Sequence, residues 1–358
     1  MNYSLNEICS KFDIDPTIGS YGNGHINDTY LCQSNPNYIL QKINNVVFKS
    51  PEEVMENISN VTKHLKEKIR EAGGDPERET LTVVPTIDGK NYYKDDNGNY
   101  FRMYKYIENS VSYDLVEDPI QLYYTGKAFG KFQNMLDDFP AEKLHETIKD
   151  FHNTPERVNQ LLAAMEKNAA GRLDSVKEEV EFALEFRKYA SIITDQMAEG
   201  TVPLRVTHND TKLNNILFDD KTNEGVCVID LDTVMPGSML YDFGDALRSG
   251  ATSGAEDETD LRKIWFDIAK FEQFTKGFVG EMRDTITEKE AELLAMSALI
   301  MSYECGIRFL ADYLNGDVYF KTHREGQNLD RARNQFKLAK NIESKLDELN
   351  AIVNKYLV

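Results

Sequence analysis

Two kinds of hydrophobic patterning divide the chain. Over residues 1–107, short apolar runs alternate with turn formers, as in Tyr38-Ile39-Leu40-Gln41-Lys42 and Leu81 to Val84, and predict short strands. The single long helical pattern there is Pro51 to Arg70, followed by a loop at Gly73-Gly74-Asp75-Pro76. Over residues 108–358, apolar residues recur at helical spacing and predict helices over 119–139, 155–168, 175–198, 256–282, 288–314 and 329–356. One segment breaks that pattern: Ile216-Leu217-Phe218 and Val226-Cys227-Val228-Ile229 are apolar runs joined by the turn formers Asp219 to Gly225, which predicts a β-hairpin. The expected architecture is α+β and bilobal. A small sheet-rich N-terminal lobe (1–107) is joined near Tyr104 to Asn109 to a large, mainly helical C-terminal lobe (108–358) that carries the hairpin.

The polar residues around the hairpin change the picture from fold to chemistry. Val206-Thr207-His208-Asn209-Asp210-Thr211-Lys212-Leu213-Asn214-Asn215 leads into its first strand, and Asp230-Leu231-Asp232 follows its second. If Phe218 pairs with Val226, Asn215 falls opposite Ile229 and beside Asp230; if it pairs with Cys227, Asn215 lies opposite Asp230 itself. Either register brings an amide and a carboxylate to the open end of the hairpin. Mg²⁺ binds through a few hard oxygen ligands and takes others from phosphates, so Asn215 and Asp230, with Asp232 as a further candidate, suffice to hold it. Asp210, at the mouth of the loop, is left to accept the proton of an attacking hydroxyl. This is the equipment for transferring a phosphoryl group from ATP-Mg to an alcohol. Asp and Asn also favour turns for local hydrogen-bonding reasons, and any one of these residues alone would be read that way.

Two nearby features are assigned elsewhere. Asp242-Phe243-Gly244 spells the metal-binding tripeptide of protein kinases, yet it follows the turn at Met235-Pro236-Gly237-Ser238, beyond the hairpin. Asp242 and Asp245 are therefore read as helix N-cap and loop brace. No cysteine or second histidine stands at ligand spacing from His208, which is read as orienting the loop by hydrogen bonds.

This pattern resembles the catalytic and metal-binding loops of the aminoglycoside phosphotransferase and choline kinase-like enzymes, which share the protein-kinase fold. More narrowly, Arg205 to Asp245, together with Tyr21 to Asn27, Tyr104 to Tyr113 and Glu304 to Tyr319, is similar to the bacterial N-acetylhexosamine 1-kinases, and the similarity runs over nearly the whole chain. The resemblance implies ATP and Mg²⁺ as cofactors and a small sugar, GlcNAc or GalNAc, as acceptor.

Within that frame, Tyr21-Gly22-Asn23-Gly24-His25-Ile26-Asn27 is a glycine-containing turn whose backbone N–H groups would approach phosphates, with Gly22 and Gly24 on the nucleotide. The resemblance gives His25 and Asn27 a substrate or phosphate role. Gln41 occupies the place where many relatives carry a phosphate-binding lysine, with Lys42 beside it. Adjacent strand residues face opposite ways, so only one of the two meets the nucleotide, and charge favours Lys42. Its partner on the following helix is Glu52, Glu53 or Glu56. Tyr104 and Tyr106 belong to the connector expected to hold adenine. Late in the chain, Arg308 sits on a helix that is apolar around much of its circumference, which turns the charge into a cleft. There it would grip a sugar hydroxyl or the transferred phosphate, while Tyr319 offers a ring to stack on sugar. An Arg308 ion pair with Glu304, four residues earlier, is the plainer alternative.

Composition narrows the partners. A formal net charge of −19 opposes nucleic-acid and anionic-membrane binding, which rely on clustered Lys and Arg. The N-terminus lacks a basic segment followed by an apolar core, and the most apolar stretch, Leu293 to Met301, is too short to cross a bilayer. Cys9, Cys32, Cys227 and Cys305 form no C-x-x-C pair and are read as reduced thiols. A cytoplasmic, monomeric small-molecule enzyme is expected.

Overall fold

A computed structural model of the chain describes residues 3–22, 26–116 and 118–357. The N-terminal part opens with helix α1 (Leu5–Ser10), followed by strands β1 (Thr17–Ser20), β2 (Asp28–Gln33) and β3 (Tyr38–Ile43). Helix α2 (Pro51–Glu71) precedes β4 (Val83–Val84), β5 (Tyr93–Lys94) and β6 (Tyr100–Lys105). These strands form one antiparallel sheet in the order β1-β2-β3-β6-β4, with β5 also paired to β6. Strand alternation gives the sheet two faces. Leu40, Phe101 and Met103 pack with Cys9, Phe12 and Cys32 under α1, whereas Ile43, Tyr100 and Tyr104 join α2 in the main core. Helix α2 starts at Pro51, carries Glu52 and Glu53 in its first turn and Lys68 and Arg70 in its last, a charge order that suits the helix dipole.

The remainder is mainly helical. After β7 (Ser110–Val111) come α3 (Pro119–Met135), α4 (Thr154–Lys167), α5 (Lys177–Phe186) and α6 (Ile192–Ala198), then β8 (Arg205–Thr207), β9 (Ile216–Asp219), β10 (Gly225–Val228) and β11 (Met235–Gly237). Helices α7 (Met239–Gly250), α8 (Ile268–Met282), α9 (Glu288–Asn315), α10 (Gln327–Glu343) and α11 (Leu346–Leu357) complete it. Antiparallel β9 and β10 form the expected hairpin, which β7 extends to three strands; β8 pairs with β11.

Three predicted helices are interrupted. The 175–198 pattern splits into α5 and α6 around a short 3₁₀ turn at Arg187–Tyr189. Residues 256–267 stay outside α8 because Asp267 caps it, accepting the Lys270 N–H, while Ser253 and Asp260 bond locally to backbone. The 329–356 pattern breaks after Glu343, and α11 turns back onto α8 and α9.

Helix α9 is the axis of this part, capped by a reciprocal Thr287–Glu290 box at its start and Gly316 at its end. Its 28 residues are long and apolar enough to cross a membrane, more than the short run Leu293 to Met301 suggested, but 78% of the apolar window is buried against the surrounding helices. Arg205 of β8 grips Glu290 with both Nε (2.6 Å) and Nη2 (2.9 Å), also pairs with Asp137, and donates to the Thr285 carbonyl. Helices α3 and α8 cross at glycines: a Cβ on Gly277 would stand 2.1 Å from the Tyr123 carbonyl oxygen, and one on Gly126 would stand 2.2 Å from that of Phe274.

Candidate active site

The loop between β8 and β9 is held from below by Asp242. Its Oδ1 accepts the Asn209 N–H (2.7 Å), and Oδ2 accepts the His208 N–H (2.8 Å) and Gln133 Nε2 (2.6 Å). Asp242 is thus the loop brace expected of it, but Ser238 rather than Asp242 is the N-cap of α7. Asp245, a turn later, is buried against Arg248. His208 Nε2 lies 2.8 Å from the Ile229 carbonyl oxygen, and Nδ1 accepts the Asp210 N–H at 3.3 Å, so the ring links the loop to the hairpin. Asn209 has φ +66°, an unfavourable value for a residue with a side chain, and is kept there by Asp242 and by its own amide bonded to the Thr233 carbonyl.

Asp210 faces outward from this brace. Lys212 Nζ lies 2.6 Å from its Oδ1, and Asn215 Nδ2 donates to both its Oδ2 (3.0 Å) and its carbonyl (2.8 Å). The Asp210 charge raises the pKa of Lys212, with Asp245 adding to it. The sequence reading passed over Lys212, whose position two residues after Asp210 was the available signal.

Hairpin register follows the first alternative at its open end. Gly225 pairs with Phe218, a bulge at Val226 shifts the ladder, and Cys227 and Val228 then pair with Leu217 and Ile216. Asn215 accordingly meets Ile229, whose N–H donates to its carbonyl at 2.9 Å, and Asp230 comes next at φ +57°. The Asp230 side chain is exposed to the cleft and makes no hydrogen bond among the described residues. Crowding by the cleft walls, then the charges of Asp232 and Asp210, raises its pKa above the usual carboxylate range. Asp232 departs from its expected role as a free metal ligand. One oxygen pairs with the fully buried Arg102, and the other accepts Asn27 Nδ2 at 2.6 Å.

Arg102, on β6, is the cation that sequence reasoning missed. Its Nε and Nη2 donate to Gln41 Oε1 at 3.0 and 2.8 Å, because β3 and β6 pair Gln41 directly with Arg102. The expectation for Lys42 is corrected by the same alternation: its Nζ lies over the Tyr3 ring, 5.1 Å from the centroid, on the opposite face of the sheet. None of the three α2 carboxylates reaches either residue; Glu52 binds Tyr100 and Glu56 binds His145. Asn27 likewise acts as a strut rather than a free contact, since its Oδ1 accepts the Asn44 N–H at 2.9 Å. Gly22 lies exposed at φ +71°, whereas Gly24 and His25 fall outside the described residues. Tyr104 is buried beneath the Arg102 guanidinium, and Tyr106 meets Tyr21 edge-on. The Tyr106 N–H is spent on the Asn37 carbonyl, so this amide of the connector is not free for a ligand.

On the far side of the loop, Glu304 of α9 accepts Thr154 Oγ1 (2.6 Å) and lies 2.8 Å from His152 Nδ1, while His152 Nε2 reaches the Asn209 carbonyl oxygen at 3.2 Å. Burial opposes the Glu304 charge, but His152 and Arg308 outweigh it and lower the carboxyl's pKa. Glu304 is therefore not the simple partner of Arg308. That guanidinium is half-buried between the rings of Phe151 and Phe320, 5.4 and 5.6 Å from their centroids, with no ion pair or hydrogen bond among the described residues. Tyr319 is exposed beside it, in a segment whose backbone N–H groups all point at Asp312.

These residues fit a divalent cation and a nucleotide. Among the described residues no three His, Cys, Asp or Glu side chains form a closed cation cage. An open site of one carboxylate and one amide oxygen, completed by phosphates, matches the unpartnered Asp230 and the Asn215 Oδ1 that its donor bonds leave over.

Residues 17–265, more than half of the chain, match the phosphotransferase enzyme family. The chain is also similar to the structure of a microcompartment-associated aminopropanol kinase (TM-score 0.63, 14% identity, covering 96% of this chain and 97% of that one). An aminoglycoside phosphotransferase from Alicyclobacillus acidocaldarius gives a TM-score of 0.61 at 13% identity, covering 99% and 98%. A choline kinase from Cryptosporidium parvum gives 0.54 at 13%, covering 95% and 93%. The sheet-rich and helical parts form a protein-kinase-like fold, and the chain belongs to the phosphotransferase enzyme family.

Proposed function

We propose that the protein is an ATP- and Mg²⁺-dependent kinase that phosphorylates the anomeric hydroxyl of an N-acetylhexosamine, GlcNAc or GalNAc, to the 1-phosphate. The observation that carries this reading is convergence. The segments resembling N-acetylhexosamine 1-kinases are tied together at one cleft, by Asn27 to Asp232 and by Glu304, through His152, to the carbonyl preceding Asp210. Asp210 accepts the proton of the attacking hydroxyl, with Lys212 and Asn215 fixing the direction of its carboxylate. Lys212 also places positive charge beside the atoms where charge develops. Asn215 and Asp230 hold the metal, which supplies charge neutralisation on the phosphates. Gln41 and Arg102 line the nucleotide side with Gly22, Tyr104 and Tyr106, and Arg308 and Tyr319 face the acceptor.

A second reading takes an amino alcohol or aminoglycoside as acceptor. Similar structures include kinases named for such compounds, and the net charge of −19 suits a cationic substrate. The unpaired Arg308 favours the neutral sugar. ADP release with GlcNAc, GalNAc, choline, 1-amino-2-propanol and an aminoglycoside separates the two. The N-acetylhexosamines are expected to exceed the amines in kcat/KM by roughly tenfold or more. Preferred turnover of an amine would overturn the sugar assignment.

A further inference from the structure

Both ring nitrogens of His152 face oxygens that accept. Nδ1 lies 2.8 Å from Glu304 Oε1, and Nε2 lies 3.2 Å from the Asn209 carbonyl oxygen. A neutral imidazole has one N–H and one lone pair, so it would satisfy one of these contacts and set its lone pair against the other oxygen. All three residues are buried, which leaves little solvent to relieve such a mismatch. Thr154 Oγ1 donates to Glu304 Oε2 at 2.6 Å and favours the carboxylate; burial opposes that charge, but His152 and then Arg308 lower the Glu304 pKa. The shared proton therefore belongs on the ring.

The other groups around the ring agree with a positive charge there. On α7, burial opposes the Asp245 charge, but Arg248, Lys212 and His152 lower its pKa, and the Tyr241 ring stands 5.4 Å from the imidazole. Glu146 and Asp150 line the same cavity as His152.

The contact bears on the loop that carries Asp210. The peptide between Asn209 and Asp210 is held at both edges: its carbonyl faces His152 Nε2, and its N–H donates to His208 Nδ1 at 3.3 Å. Asn209 has φ +66°, so its backbone depends on such contacts to stay in the orientation observed.

We propose that His152 is a positioning residue for Asp210, acting as an imidazolium that donates to Glu304 and to the Asn209 carbonyl and so fixes the peptide leading into the base. Loss of the second proton turns a lone pair toward one of these oxygens and loosens the brace. The role rests on Asp210 being the base of the proposed kinase.

Ring-nitrogen NMR of the full-length protein labelled with ¹⁵N-histidine reads the protonation without any turnover. At pH 7 both nitrogens of His152 are expected to carry protons, with the signals assigned by their loss in His152→Gln. Glu304→Gln, which offers Nδ1 an amide donor, should return the ring to its neutral form. A neutral His152 in the wild type overturns the proposal. ADP release with the acceptor that the wild type turns over best then reads the positioning. His152→Gln should lower kcat by about tenfold or more while the KM for ATP stays within about twofold. If that variant fails to fold, His152→Gln/Glu304→Gln, which leaves no unpaired charge at the pair, is measured in its place. Wild-type kcat in the folded variant, or a loss confined to the KM for ATP, overturns the proposal. A wild type that phosphorylates no acceptor contradicts the kinase assignment instead, and the NMR result stands apart from it.

Discussion

Lys212 meets one carboxylate oxygen of Asp210 and Asn215 the other, which fixes the direction of the proposed base. Asp210→Asn keeps the shape and removes the basicity, so kcat is expected to fall by about 10²-fold or more at unchanged melting temperature. Near wild-type turnover in an ADP-release assay would remove the base from this account. Arg102 and Lys42 form a second contrast. Arg102→Met strands Asp232 and Gln41 in the interior and should cost about 3–5 kcal/mol in urea unfolding as well as weakening nucleotide binding. Lys42→Met, on the outer face, should change stability by no more than about 0.5 kcal/mol and leave the KM for ATP unaltered. The sequence showed a glutamine where a lysine was sought, and alternation limited the cleft to Gln41 or Lys42. Choosing between them required the β3–β6 register, which sets Arg102 opposite Gln41 and depends on long-range pairing. Asp242 was legible as a brace because the intervening turn separates it from the hairpin, whereas its donors from His208, Asn209 and Gln133 come from elements distant in sequence.

At the scale of elements, strong periodicity located the long helices and local capping set their ends. α2 and α9 run close to their predicted spans because apolar spacing and end charges agree. The 256–282 pattern overran because Asp267 stops the helix with a side-chain acceptor that periodicity does not register. Two joints between elements have measurable consequences. Arg205 fastens β8 to the start of α9 through buried Glu290, and Arg205→Met should destabilise the fold by about 3–5 kcal/mol, read by urea unfolding. A loss below 1 kcal/mol, within the range of about 0.2–1 kcal/mol for exposed pairs, would mean the pair is dispensable. Asp219, at the end of β9, receives the Thr222 and Lys221 N–H groups and Arg78, which lower its pKa from 3.8 to about 2. A carboxylate lowered on folding stabilises above its unfolded pKa and loses that contribution as pH falls through the folded value. The melting-temperature gap between wild type and Asp219→Asn should therefore be full at pH 6 and narrower at pH 3; a constant gap would contradict the assignment.

Across the whole molecule, the sheet-rich and helical parts share one apolar core and are also joined by polar ties, some of which involve residues proposed for chemistry. Asn27 and Arg102 reach across to Asp232, and Arg78 clamps the carbonyls of Glu108 and Asn109 to Asp219 of the hairpin. The family and fold fix a phosphotransferase acting on an alcohol, while the N-acetylhexosamine acceptor is the proposed part of the account. A ³¹P spectrum of the product formed from ATP, Mg²⁺ and GlcNAc or GalNAc tests that most directly. A sugar phosphate resonance coupled to the anomeric proton, absent with Asp210→Asn, is the expected result. ATP consumption that yields only inorganic phosphate, or a phosphate coupled to a non-anomeric position, would contradict it.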